Sequence, residues 1–176
     1  MLKATFRSYS PNNRNGCRAV FNGNSPAFFA ASEREEFLEF IDDTSNAYWV
    51  LEDGRQITGC GGYGFRDRGD TADLCWGIMA SDQHGKRLGE YLMTARLIEV
   101  LNNHEIQAFR VATSQHTEAF FEKYGFTTEQ RIQNGFAEGL DRIEMKLART
   151  SECRKDLHRK WKSVRRLVDT ISLGLP

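Results

Sequence analysis

A strand, a short polar loop and a long helix follow one another between Ala72 and Asn103, and this unit most restricts the possible folds. Residues Ala72–Met79 are rich in strand-forming types. From Lys86 the apolar residues recur at helical spacing, which predicts a helix to about Asn103. The free N–H groups and the positive dipole end of such a helix can bind a phosphate. The intervening loop within Ile78–Gly89 is therefore a candidate anion site.

The rest of the chain predicts further strands and shorter helices around this unit. The predicted strands are Leu2–Ser8, Ala47–Glu52, Gln56–Phe65, Gln107–Val111, Thr127–Gln133 and Arg142–Leu147. The predicted helices are Pro11–Phe21, Ser32–Ile41 and Thr117–Lys123. Strands first cluster and then alternate with helices, which is typical of one sheet covered on both faces. We therefore expect an α/β fold of the α+β type, with one twisted mixed sheet of six to seven strands.

The C-terminal segment Glu152–Leu173 differs from the rest in its pattern. Apolar residues recur at intervals of four and three, at Leu157, Trp161, Val164, Val168 and Ile171. Seven basic and three acidic residues occupy the other faces. The pattern predicts a basic amphipathic helix, so that a domain at 1–148 precedes an extension at 149–176. That helix packs on its own domain, forms a homodimer with a second copy, or contacts an anionic partner or membrane surface.

The charge, apolar runs and cysteines limit the function classes. Lys and Arg number 24, and Asp and Glu also number 24, so that no overall field recruits nucleic acid and no such partner is expected. No apolar run suits a membrane span or a signal peptide, so that we expect a cytoplasmic protein. The spacing of Cys17, Cys60, Cys75 and Cys153 matches no metal site and predicts free thiols.

Two motifs in the expected order resemble those of the GNAT superfamily of acyl-CoA-dependent N-acyltransferases. The first is the loop Gln/Arg-x-x-Gly-x-Gly/Ala, which ends here at Gly89, with His84 in place of Gln/Arg and Arg87 in place of the middle glycine. The second is Ala-x-Phe-Tyr-Glu-Lys-x-Gly-Phe, which is similar to the sequence within Thr113–Phe126. Its matching residues are Ala119, Phe120, Glu122, Lys123, Gly125 and Phe126. The resemblance covers about residues 1–148.

The resemblance implies a cofactor, its site and a reaction. The cofactor is acetyl-CoA, and the reaction is acetyl transfer to a primary amine of a small molecule or peptide by direct attack. The strand Ala72–Met79 is expected to splay from Gln107–Val111 and to pair with the pantetheine arm at Ile78, Met79 and Ala80. Backbone N–H groups are expected to hold the pyrophosphate at His84, Gly85, Lys86, Arg87, Leu88 and Gly89. The side chain of Arg87 is expected to hinder close approach of its backbone.

The motifs leave the catalytic residues open, because Phe121 stands where the family carries its tyrosine acid. Asp73 occupies a strand position where several members carry a glutamate base, although it also fits a solvated strand-edge acid. Tyr124 is a candidate replacement acid or a packing residue. His116 is a candidate for cofactor contact or proton transfer, or a surface residue. The candidate acceptor-binding residues are Phe28, Phe29, Tyr63 and Trp76.

Two other functions remain open at this point. A non-catalytic coenzyme A-binding module would retain the fold, and Phe121 together with the altered loop motif would mark its lost chemistry. An unrelated phosphate- or nucleotide-binding protein would use the same loop and would prefer ATP or NAD to coenzyme A. The discriminating observations are the ligand preference and the release of a thiol.

Overall fold

A computed structural model describes residues 4–66 and 69–170 and contains eight strands and five α-helices in that part of the chain. The strands are β1 Ala4–Ser8, β2 Ala47–Asp53, β3 Gln56–Arg66, β4 Thr71–Met79, β5 Ala108–Thr113, β6 Thr127–Ala137, β7 Leu140–Ala148 and β8 Asp169–Thr170. The helices are α1 Arg14–Asn22, α2 Arg34–Asp42, α3 Leu88–Leu101, α4 Glu118–Glu122 and α5 Ser151–Val164. Of the predicted first strand, Leu2 and Lys3 lie outside the described residues.

The strands form one mixed sheet in the order β6-β7-β5-β4-β3-β2-β1-β8. The β4–β5 and β1–β8 pairs are parallel, and the other neighbours are antiparallel. The prediction of a mixed α/β fold is confirmed. The sheet has one strand more than the upper limit expected, because Asp169–Thr170 pairs with β1.

Helices cover both faces of the sheet and create two apolar cores. One core lies under α1 and α2 and includes Phe21, Phe37, Val50 and Ile78. The other lies under α3 and α5 and collects alternate residues of β1, β2, β4, β5 and β7. The period of two along each strand sends neighbouring residues into opposite cores, as Val50 and Leu51 show.

The C-terminal helix is shorter than predicted. It ends at Val164, whereas the predicted helix continues to Leu173, of which residues 171–173 lie outside the described part. The chain then turns and enters β8. The predicted apolar stripe is nevertheless buried in the core under α3, at Leu157, Trp161, Val164 and Val168. The helix therefore packs on its own domain, and a dimer would have to use other residues.

No helix among the described residues is both long and apolar enough to cross a membrane. Within the same residues, no group of three or more His, Cys, Asp or Glu side chains could hold a metal ion. The four cysteines are free thiols, as predicted from their spacing. Cys17 and Cys60 are both buried in the core under α1 and α2.

Candidate functional site

The central feature of the site is the separation of two parallel strands. β4 and β5 pair only from Thr71 to Asp73, whose partners are Ala108 to Arg110. β4 then continues to Met79 and β5 to Thr113 without further pairing to each other. The expected splay of these two strands is thus present. It leaves an opening in the middle of the sheet, between the ends of β4 and β5.

A bulge in β4 lies directly at this opening. The register between β3 and β4 shifts between Cys60 and Gly62, because two β4 residues, Trp76 and Gly77, face a single residue of β3. Trp76 has a φ of 47°, which is unusual for a bulky residue and marks the bend. Gly77 is exposed. A bulge of this kind redirects backbone and side chains, so that Asp73 and Gly77 do not follow simple alternation.

A buried arginine fixes the bulge from behind. Arg96 of α3 is 4% exposed. Its Nη1 donates to the carbonyl oxygens of Gly62 at 3.3 Å and of Cys75 at 3.4 Å. A Cβ added to Gly77 would lie 2.6 Å from its Nη2. The sequence analysis missed this residue, although a single arginine among the apolar residues of a predicted helix was a usable signal.

The loop between β4 and α3 presents backbone donors. Tyr91 N–H donates to Arg87 O at 3.1 Å and makes the first helical bond of this kind. The N–H groups of Leu88, Gly89 and Glu90 precede it and have no partner four residues back within α3. Within the loop, Lys86 N–H donates to Gln83 O at 3.4 Å. The helix dipole adds partial positive charge at the same end of α3.

Arg87 occupies a left-handed backbone position at the start of α3. Its φ is 63° and its ψ is 5°, a conformation in which glycine is not strained. This explains why the motif that the loop resembles carries glycine there. The side chain does not fold over the loop: Nε donates to Glu90 Oε2 at 2.9 Å, and Nη2 donates to Ser163 Oγ of α5 at 3.4 Å.

Three predicted site residues meet at the mouth of the opening. The ring of Phe28 contacts those of His84 and His116 edge to face, with centroids 5.6 and 6.0 Å apart. Both histidines are exposed. Asn24 Nδ2 donates to Met79 O at 2.8 Å, and the same oxygen lies 3.2 Å from His84 Nε2. Phe28 therefore bridges the loop after β4 and the segment after β5.

Asp73 lies at the point where β4 and β5 separate. It is partly buried, and its register partners are Gly64 on β3 and Arg110 on β5. Its neighbours Ala72 and Leu74 face the core under α3, so that Asp73 faces the other side of the sheet. This position adjoins the opening and suits a group that takes up a proton there.

The tyrosine proposed as a replacement acid is tied to α3. The Tyr124 hydroxyl lies 3.1 Å from Thr94 Oγ1 and donates to Glu90 O at 3.2 Å. Burial raises the pKa of Tyr124 to about 12. Phe121 packs on Phe120 and Phe126 instead of presenting a hydroxyl. The described contacts give Tyr124 a packing role and leave the acid unassigned.

Of the remaining predicted acceptor residues, Phe29 and Trp76 are brought together, whereas Tyr63 lies apart from them. Phe29 and Trp76 pack against each other and against Phe21, with centroids 6.1 Å apart for the first pair. Tyr63 pairs in register with Leu74 and stacks beside Trp49 at 5.6 Å, on the face covered by α3. It therefore lies on the opposite face from Asp73.

Comparison with known proteins gives a family and a fold. The family model described as "Acetyltransferase (GNAT) domain" matches residues 13–149. No protein in a search of curated sequences matches significantly. The matched range begins after β1 and ends before α5, so that β1, α5 and β8 lie outside it.

Solved structures with low sequence identity share the fold. An N-acetyltransferase from Staphylococcus aureus Mu50 is 18% identical, with a TM-score of 0.66, and the match covers 83% of this chain and 98% of that one. The structure of yncA from Salmonella typhimurium with its cofactor acetyl-CoA is 19% identical, with a TM-score of 0.65 and coverage of 83% and 94%. An aminoglycoside 6'-N-acetyltransferase complexed with coenzyme A is 14% identical, with a TM-score of 0.67 and coverage of 81% and 96%.

Proposed function

The chain belongs to the acetyltransferase (GNAT) family, and from this premise we propose that it transfers an acetyl group from acetyl-CoA to a primary amine. The amine belongs to a small molecule or a peptide. Acetyl-CoA supplies the acetyl group as a thioester, which the amine attacks directly. The two neighbours solved with acetyl-CoA and coenzyme A share the fold and support this choice of acetyl donor.

The observation that carries the proposal is the opening between β4 and β5 beside the start of α3. A pantetheine arm has amide groups that pair with a strand edge, and β4 beyond Asp73 has no β5 partner. A pyrophosphate needs N–H donors, which Leu88, Gly89 and Glu90 provide at the end of the same opening. Lys86 is exposed nearby and adds positive charge. Residues of these types at these places fit coenzyme A.

The reacting amine needs help to lose its proton. An amine with a pKa near 10.4 is neutral in only about one molecule in 2,500 at pH 7. We assign Asp73 as the group that accepts this proton, directly or through water, because it faces the opening from the side opposite α3. Arg96 holds the bulge at Gly77 and places a positive charge behind the opening. That charge favours a departing thiolate, for which Phe121 offers no proton.

The first experiment is thermal unfolding with coenzyme A, acetyl-CoA, ATP and NAD, each alone. A ligand at 100 times its dissociation constant stabilises by about 2.7 kcal/mol, which is a shift of several degrees. We expect a shift with acetyl-CoA and coenzyme A alone. A shift with only ATP or NAD, or with none of the four, would overturn the cofactor assignment.

Turnover is then measured as thiol release from acetyl-CoA with a panel of amines. We expect Asp73→Asn to lower kcat by about 10²-fold or more near neutral pH and to flatten the pH dependence. The matched control is Asp70→Asn, an exposed carboxylate three residues earlier in the chain. Equal turnover of the two variants across pH would remove Asp73 from the mechanism.

A non-catalytic coenzyme A-binding module is the second candidate. It is favoured by Phe121, which packs on Phe126, and by the Tyr124 hydroxyl, which donates to Glu90 O. Thermal shifts with both coenzyme A compounds, without thiol release on any amine, would favour it over the enzyme. Thiol release that depends on an added amine would exclude it.

A further inference from the structure

A polar groove lies on the sheet beside the point where β4 and β5 separate. Its volume is about 380 Å³, and it is lined by Arg110, Glu129, Gln130 and Glu144. The groove lies across β5, β7 and β6, whose side chains on this face are polar and only partly covered. A volume of this size is typical of a site for a small molecule. It is called the polar groove below.

The polar groove is on the same face of the sheet as Asp73. Arg110 and Asp73 are register partners on neighbouring strands, which lie about 4.8 Å apart. The neighbours of Arg110 along β5, Phe109 and Val111, face the core under α3, so that Arg110 faces the other way. Arg110 thus lies at the border of the groove that is nearest to the strand of Asp73.

Arg110 has donor capacity that the described residues do not use. Its Nε is buried and has no hydrogen-bond partner among the described residues. Its Nη2 lies 3.5 Å from Glu129 Oε2, which is beyond a charge-assisted hydrogen bond. Glu129 Oε1 is 3.9 Å from Lys146 Nζ. Both contacts of Glu129 are loose, so that another carboxylate can replace it at Arg110 at small cost.

We propose that the acceptor is a small zwitterionic amine of the amino-acid class, whose carboxylate binds Arg110 and whose amine lies toward Asp73. The proposal rests on the proposed function and names its substrate class. A guanidinium takes a carboxylate with two parallel N–H bonds. The loose contact of Nη2 with Glu129 is the one that the ligand carboxylate would replace. The amine would then extend across β5 toward Asp73, the register partner of Arg110.

The mixed charge of the polar groove argues for a zwitterion over a polyamine. A polyamine would require carboxylates without a competing cation, whereas Arg110 and Lys146 are within 4 Å of the same Glu129. A free amino acid brings both charges and leaves the groove balanced. Glu144 is engaged by Arg142 at 2.6 Å and keeps its negative charge on the groove wall.

The test is equilibrium binding to the full chain, measured by calorimetry with coenzyme A present. The ligands are the twenty or so standard L-amino acids and the carboxamide of each. We expect at least one amino acid to bind, and its carboxamide to bind at least about tenfold more weakly. In thiol-release assays the same pair should differ in KM rather than in kcat. Equal binding of acid and amide, or binding of no amino acid, overturns the proposal.

Variants of Arg110 locate the effect. Arg110→Gln should remove the preference for the acid over the amide, and Arg110→Lys should restore part of it, because lysine keeps the charge without the fork. The control is Arg131→Gln on β6, an arginine that binds Glu118 at 2.7 Å. A preserved preference in Arg110→Gln overturns the assignment. An unchanged thermal shift with acetyl-CoA shows that each variant is folded and still binds the cofactor. A wrong assignment of Arg110 is then distinguished from a wrong proposed function, because only the latter would abolish the shift with acetyl-CoA.

Discussion

The two parts of the sheet on either side of the β4–β5 separation are built differently. The part from β1 to β4 has apolar side chains on both faces, with α1 and α2 above and α3 and α5 below. The part formed by β5, β7 and β6 sends its large buried apolar side chains in the middle of the strands to the α3 side, at Phe109, Val111, Ile143, Met145 and Leu147. Its other face carries the polar groove. Apolar burial thus ends where the proposed chemistry begins.

This difference assigns separate tasks to the two parts. The first is a rigid support, because tightly packed side chains on both faces resist displacement. The second offers charged side chains at partial exposure, which a ligand can reach. Asp73 and Arg110 are the last residues at which the two parts are hydrogen-bonded to each other through β4 and β5. The following predictions test this division.

The largest expected effect is on packing under α1 and α2. Phe37 has no exposed surface and stacks on Phe21 with centroids 5.2 Å apart. Phe37→Ala should lower the free energy of unfolding by about 3–5 kcal/mol. Ile132→Ala in β6, where the side chain is 39% exposed, should change it by less than about 0.5 kcal/mol. Denaturant unfolding measures both, and similar losses would contradict the division.

The next effect is at the bulge between the two parts. Gly77→Ala should destabilise by about 1–3 kcal/mol and weaken acetyl-CoA binding, because its Cβ would lie 2.6 Å from Arg96 Nη2. Adding Arg96→Lys removes the guanidinium end and should recover part of that loss. A double-mutant cycle on unfolding free energy measures the coupling. Strict additivity would show that Arg96 does not restrain Gly77.

A smaller effect is expected at the start of α3. Arg87→Gly relieves a left-handed backbone but loses the contacts to Glu90 and Ser163. The two changes oppose each other, so that stability should shift by less than about 1 kcal/mol. The affinity for acetyl-CoA should stay within about threefold of the original. Lys86→Gly is the control in the same loop. A large loss of affinity in Arg87→Gly alone would show that the guanidinium binds the cofactor.

The smallest effects are opposite pH dependences in the two parts. Burial raises the pKa of Glu99 on α3 above its value in the unfolded chain. The contribution of Glu99 to the free energy of unfolding is therefore fully present below the unfolded pKa and is lost as the pH rises through the folded pKa. Hydrogen bonds from Arg131 and Thr128 lower the pKa of Glu118 below its value in the unfolded chain. The contribution of Glu118 to the free energy of unfolding is therefore present above the unfolded pKa and is lost as the pH falls through the folded pKa.

The glutamine variants separate these two signs. Glu99→Gln should be more stable than the original chain at pH 7, and this advantage should vanish below about pH 4. Glu118→Gln should be less stable at pH 7, and its deficit should vanish below about pH 4. Unfolding measured from pH 3 to 8 checks both. Differences that do not change with pH would show that neither carboxylate titrates differently on folding.

The β4–loop–α3 unit could be predicted because its signals are local. The strand composition and the helical spacing after Lys86 report directly on neighbouring residues. The start of α3 was placed two residues early, because Arg87 adopts a left-handed backbone, which a non-glycine residue does not signal in the sequence. The predicted end of α5 was wrong for another reason. Val168 continues the apolar spacing and is buried as expected, but it lies in the bend after the helix. Spacing reports burial, and the backbone conformation is a separate matter.

The polar groove and the bulge could not be predicted from local patterns. The groove requires β5, β7 and β6 to lie side by side, an order that differs from the order of the chain. The bulge depends on Arg96 reaching Gly62 and Cys75 from another element. Tyr63, an aromatic residue, was named among the candidate acceptor-binding residues. Its register with Leu74 places it on the other face.

The pairing of β8 with β1 has a consequence for the order of folding during synthesis. β1 is synthesised before β8, and its outer edge pairs with Asp169–Thr170 at Thr5 and Phe6. The apolar side of β1 belongs to the core under α3 and α5, and α5 follows β1–β7 in the chain. The outer edge of β1 therefore cannot pair with β8 until Asp169 and Thr170 have left the ribosome. Contacts of such sequence separation form slowly, so that β1, which precedes the other described strands, is among the last of them to be protected.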